Sequence, residues 1–149
     1  MKVRDRDLKI AKLRLKEKDL TLVIVKEGKV IFETKSQGIG CFLQAIEKFG
    51  KRLFASSVAD KIVGAAAAML CAYSKVSSVF AVTISKEGVR VLENNHIDYQ
   101  FENHVPNILN HDKTDICPFE TLAIGSGNQK EAYMKLKSFA ASLVARDST

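Results

Sequence analysis

A chain of 149 residues, 46% hydrophobic and 27% charged, has the composition of one globular domain with a sizeable core. Its longest uncharged apolar run, Ile62 to Tyr73, falls well short of the roughly 20 residues a membrane-spanning helix needs, so a transmembrane anchor of that kind is excluded. The net charge of +6 is uneven: residues 1–18 carry eight Lys/Arg against three acids and supply +5 of it, with no apolar signal region behind them, which predicts a cytoplasmic protein.

The first helix is predicted over residues 5–17, where Leu8, Ile10, Ala11, Leu13 and Leu15 interleave with the charges. That pattern describes an amphipathic helix with a lysine-rich polar face. No aromatic residue is interleaved to stack on bases, so nucleic-acid binding by this segment is the lesser reading. Leu20–Val25 is β-branched and apolar, Glu27-Gly28 turns the chain, and Val30–Glu33 returns, which predicts a hairpin. Gly38 and Gly40 mark a loop before a short helix over 42–49, ended by Gly50.

Ser57-Val-Ala-Asp60 matches the S-x-x-[DE] capping box just before an apolar run. It predicts a central helix opening at Ser57, with a body over Ile62–Leu70 that is covered on both sides. Val79–Ile84 is a second buried strand, and Ser85 caps a helix from Lys86 to about Glu93. Ile97, Tyr99 and Phe101 then alternate with polar residues as a half-buried strand, so this unit implies a right-handed parallel crossover. After a polar loop over 103–116, Cys117-Pro118-Phe119-Glu120 reads as a first helical turn, with proline at N1 and the cysteine as cap. Gly125–Asn128 precedes a C-terminal helix at about 129–145. The predicted fold class is α/β: a three-layer α/β/α single domain over residues 1–149, with a mixed sheet of about four strands, an N-terminal hairpin and a βαβ unit.

The candidate chemistry is sparse. Cys41, Cys71 and Cys117 form no C-x-x-C pair, which argues against a disulfide framework. Cys41 and Cys71 lie in apolar stretches and read as inert core thiols, whereas Cys117 has polar neighbours on its N-terminal side. Cysteine is a poor N-cap, so capping does not explain Cys117, and unpaired N–H groups there would favour a thiolate. His96, His104 and His111 match no compact metal-ligand spacing, and no metal site is predicted. Gly38-Ile-Gly40 lacks the remainder of a dinucleotide fingerprint, Gly125-Ser-Gly127 reads as a connector, and neither a Walker motif nor a G-x-S-x-G elbow occurs. Asp60 and Glu120 each have a capping role at N3 of a predicted helix. Lys61 opposes the dipole of the helix it is predicted to open, a weak sign of function. The loop over Asn107–Lys113 is rich in amide and imidazole groups suited to a polar pocket.

Four segments together resemble domain-of-unknown-function family 1893, prokaryotic proteins with a cytidine-deaminase-like fold. They are Leu20–Val25 with its hairpin, Ser57–Ala68, Val105–Asn110 and Thr114–Glu120, and the resemblance spans nearly the whole chain. The chain departs from the family at His111, where arginine is usual, and at Asp115, where glycine is usual. The resemblance implies a fold rather than an activity. Active deaminases of this fold carry a His/Cys-x-Glu motif at one core helix and Pro-Cys-x-x-Cys at the next. The corresponding segments here, Val58-Ala-Asp60-Lys61 and Ser85-Lys-Glu-Gly88, hold neither motif, so zinc-dependent deamination is not expected.

The resulting expectation is a zinc-less protein of this fold, without a resident cofactor, that binds a small anionic or nucleotide-like ligand. Its pocket would lie where Ser57–Lys61 and Ser85–Glu87 approach the Cys117 turn. Lys61, Ser85, Asn110, His111 and Glu120 are the candidate ligand contacts, and Cys117 and Asp60 the candidate catalytic groups. One alternative is a cysteine-dependent enzyme or redox protein, with Asp60 or His111 assisting Cys117. Another is an interaction module whose basic first helix binds nucleic acid. No membrane partner is expected, and a homo-oligomer is left open.

Overall fold

The computed structural model describes residues 3–110 and 112–147, and side chains over 5–110 and 112–144. His111 therefore lies outside the described residues. The first helix, α1 (Val3–Glu17), turns Leu8, Ala11 and Leu15 inward, the i, i+3, i+7 spacing of one helical face. A hairpin follows, β1 (Leu22–Lys26) and β2 (Lys29–Thr34). Its two turn residues, Glu27 and Gly28, both take positive φ, +52° and +80°, the requirement of a type I′ turn. The buried Asp7 carboxylate accepts both turn amides, Glu27 N at 3.0 Å and Gly28 N at 2.8 Å, which pins α1 to the hairpin.

After α2 (Gly40–Phe49) and a 3-10 turn over Gly50–Leu53, the chain enters β3 (Ser57–Val63) rather than the predicted helix. The Ser57–Asp60 capping box is thus a coincidence of spacing. β3 pairs antiparallel with β1 and parallel with β4 (Ser78–Ser85), which places it at the centre of the sheet. The Ser57 hydroxyl meets that of Ser78 across the parallel pair at 2.7 Å instead of capping a helix. A single residue, Gly64, then separates β3 from α3 (Ala65–Tyr73). Strand and helix abut so closely that together they read as one apolar helix.

The remaining elements fall near their predicted positions. These are α4 (Lys86–Asn94), β5 (Asp98–Val105), α5 (Pro118–Ile124) and α6 (Gln129–Asp147). Ser85 caps α4, its hydroxyl accepting from Gly88 N at 3.0 Å. The sheet has five strands in the order β2-β1-β3-β4-β5, and β5 pairs parallel with β4. The additional strand, relative to the expected four, is β3.

Two apolar clusters sandwich the sheet. On one face α1 packs Leu8, Ala11 and Leu15 against Val23, Val25, Ala59 and Phe80. On the other, Leu22, Ile24, Val58, Val79 and Ala81 meet apolar residues of α2 to α6. The basic groups of α1 are largely engaged on its own face. Arg14 makes a bidentate pair with Glu33 at 2.7 and 2.9 Å, Lys16 pairs with Glu102, and Lys12 lies 4.9 Å from the centre of the Phe80 ring. The amphipathic reading of this segment agrees with that packing. Among the described residues no helix is long and apolar enough to cross a membrane.

Candidate functional site

The α3 N-terminus is closed by a residue distant in sequence. Gly64 and the alanines after it carry no side chain able to satisfy the first N–H groups of the helix, and Gly64 makes no side-chain cap. The Glu120 carboxylate does so instead. Oε1 accepts from Ala65 N and Oε2 from Ala66 N, each at 2.7 Å, across a sequence separation of 55 and 54 residues. Gly64 is required for this approach, since a Cβ there would stand 1.8 Å from Oε1. Glu120 is 5% exposed, and burial pushes its carboxyl above the ordinary range against the opposing pull of the two N–H donors. Glu120 occupies N3 of α5, as expected, but it caps α3 rather than its own helix.

Beside this contact a cavity of about 390 Å³ opens between the end of β3, the loop leading into α2 and the start of α5. Its walls are mainly apolar, with Leu22, Ile39, Phe42, Ile62, Ile108 and Phe119 among them. Cys117 lines it at the N-cap of α5, where its thiol makes no capping hydrogen bond, and Pro118 takes the first turn as predicted. Asp60 also lines it. Asp60 shares a strand face with Val58, on the many-helix side of the sheet. Although the residue keeps partial exposure, burial of its carboxyl pushes the pKa up to about 7, with the Ile62 and Lys61 amides pulling the other way. Ile62 N is 3.3 Å from Asp60 Oδ1.

Asp60 and Lys61 do not face a ligand together. Strand alternation puts Lys61 with Ala59 on the α1 side, where its Nζ donates to Asp19 Oδ1 at 3.1 Å. Lys61 lies in a strand and so opposes no helix dipole. Ser85 is buried in its capping role and does not line the cavity. Asn110 organises its own loop: its Oδ1 accepts from Thr114 N at 3.0 Å and its Nδ2 donates to Thr114 Oγ1 at 3.1 Å. From the polar loop, Ile108 rather than an amide reaches the cavity wall. Of the candidates, Asp60, Cys117 and Glu120 converge there with Lys61 at the margin, while Ser85 and Asn110 stand apart.

Two contributors were not among the site residues expected from the sequence. Gly64 was hidden inside an apparent helix. Cys41, read as an inert core thiol, is half-buried on the cavity wall. Its Sγ donates to Gly38 O at 3.0 Å, and burial followed by the Asp60 charge raises its pKa. Cys71 does belong to the core, and the same two causes raise its pKa. The cavity thiols thus have different surroundings, and Cys41 is held as a neutral donor.

The two helix starts where deaminases of this fold would carry zinc ligands hold other residues. At α3 the residues are Gly64, Ala65 and Ala66, whose N–H groups engage Glu120; at α4 they are Ser85, Lys86 and Glu87. Neither start offers a thiolate or imidazole, so the donor set does not fit a deaminase-type zinc. Among the described residues no group of three or more His, Cys, Asp or Glu side chains is placed to hold a metal ion.

No curated protein matches the chain. A solved structure of a DUF1893 family protein (TM1506) from Thermotoga maritima is similar over 92% of both chains, with 28% identity and a TM-score of 0.83. Two solved structures of RibD from Acinetobacter baumannii, forms 1 and 2, share the fold at 15% identity and a TM-score of 0.50, over 66% of this chain and 35% of theirs. A dCMP deaminase from the cyanophage S-TIM5 aligns at 14% identity and a TM-score of 0.47, over 68% of this chain and 99% of its own. The model of the domain of unknown function DUF1893 matches residues 10–140, and with that match over most of its length the chain belongs to the DUF1893 family.

Proposed function

We propose that this protein binds a small organic ligand in the cavity between β3, α2 and α5, with Asp60 as its polar anchor. The observation that carries the reading is a mainly apolar cavity of about 390 Å³, the size class of small-molecule sites, with a carboxyl group on its wall. The expected anionic ligand loses its main physical support. That expectation drew on Lys61 and on a helix start at Ser57–Lys61; this segment is a strand, Lys61 pairs with Asp19, and the α3 N-terminus is engaged by Glu120. A nucleotide-like ligand would enter this cavity by its base rather than by its phosphate. Cysteine chemistry at Cys117 has less support, because the thiol makes no side-chain capping hydrogen bond.

An NMR-detected fragment screen tests the reading. Fragments are expected to shift amides of Ile39, Ile62, Ala67 and Phe119, and Ala67→Leu, which fills the space from α3, is expected to abolish those shifts while keeping the folded spectrum. Shifts confined to residues away from the cavity, or shifts unchanged by Ala67→Leu, would count against it.

A further inference from the structure

We propose that the preferred occupant of this cavity is an organic cation, an ammonium or amidinium group on a compact apolar body, with Asp60 as its counter-ion. The proposal rests on the reading of the cavity as a ligand site and adds the charge of the ligand. Three charged residues are among the described lining residues: Asp60, Lys61 and Glu120. Lys61 is turned to the far side of the sheet and paired with Asp19. Glu120 is satisfied by two backbone donors, with the α3 dipole behind them. Asp60 remains, and among the described residues no Lys, Arg or His forms an ion pair with it.

The other titratable groups near Asp60 do not change its balance. Cys41 from α2 and Cys71 from α3 are thiols that burial and the Asp60 charge hold neutral. Glu120 from α5 is a second acid. On the flanking strands the register partners of Asp60 are Leu22 and Ala81, both apolar. A partly buried carboxylate without a counter-charge is costly, and a bound cation removes that cost while its apolar body fills the hydrophobic walls. An anion would have to approach two acids, with no cation free of a partner among the described wall residues. A neutral ligand would leave the Asp60 charge unmatched.

Binding of a cation requires the ionised carboxyl, so affinity should rise by about tenfold per pH unit below the Asp60 pKa and level off above it. Benzamidine, benzamide and benzoate share one shape and differ in charge, and each is titrated into the whole protein at pH 6 and pH 8 by amide shifts. Benzamidine is expected to bind at the cavity residues at least about tenfold more tightly than benzamide, and more tightly at pH 8 than at pH 6. Asp60→Asn should remove that preference and leave benzamide affinity within about threefold. If that variant does not fold, the pH dependence of the wild-type protein decides alone. Benzamide or benzoate binding in the cavity as well as benzamidine, or benzamidine affinity equal at both pH values, would overturn the cation while keeping the ligand site. Absence of cavity shifts with all three probes would overturn both.

Discussion

Glu120 takes part in two helices at once, as the N3 residue of α5 and the cap of α3. The second role has the larger consequence, because two buried N–H groups depend on it. Glu120→Gln keeps the shape but turns one acceptor into a donor, leaving one amide unmatched, at an expected cost of about 1–3 kcal/mol in urea unfolding. Gly64→Ala attacks the same contact from the other side. Its methyl group would displace the carboxylate, so a similar loss of about 1–3 kcal/mol is expected. Both costs pass through one contact, and a double-mutant cycle with Glu120→Ala should therefore be strongly non-additive. Additive costs would mean that Gly64 and Glu120 stabilise the fold independently.

Among the elements, α1 and the β1–β2 hairpin form a unit through Asp7. The turn residues Glu27 and Gly28 are committed to positive φ, and their amides point at a carboxylate that is 1% exposed. Asp7→Ala should destabilise the protein by about 1–3 kcal/mol. The more specific signature is faster amide exchange at Glu27 and Gly28. Protection unchanged at these two amides would show that the turn holds without α1. The exposed Arg14–Glu33 pair, by contrast, is expected to matter little, since exposed ion pairs are worth about 0–1 kcal/mol.

For the molecule as a whole, Asp60 sets a pH dependence. Its folded pKa, about 7, lies above its ordinary value of 3.8, so the folded state holds the proton more tightly than the unfolded chain. Stability should accordingly be highest, as far as this group is concerned, below about pH 4. It should fall as pH rises towards 7, where the buried carboxyl must ionise, and flatten above that. Glu120 contributes in the same direction. Subtracting the curve of Asp60→Asn from that of the wild type isolates Asp60, and the variant is expected to gain on the order of a few kcal/mol at pH 8. A difference that does not change with pH would mean that the Asp60 carboxyl is well solvated.

Much of the architecture was legible because its signals are local. The Glu27-Gly28 turn, the Ser85 cap and the Cys117-Pro118 helix start each depend on residues within three or four positions of one another. The β3 strand was not legible. Ser57–Asp60 satisfies a capping-box spacing, and the following apolar residues suit a buried strand and a buried helix equally. The choice belongs to β1 and β4, whose backbone groups need a partner between them. The site followed the same division. The sequence by itself determined an α/β chain, the hairpin turn, the Ser85 cap and the Pro118 helix start, and it included Asp60, Cys117 and Glu120 among its residues of interest. Only the tertiary structure decided that Glu120 caps a helix 55 residues away, that Lys61 turns to the opposite face, and that Cys41 joins the cavity wall. Those contacts arise from the packing of separate elements, and the pattern along any one element contains no record of which carboxylate will meet which helix.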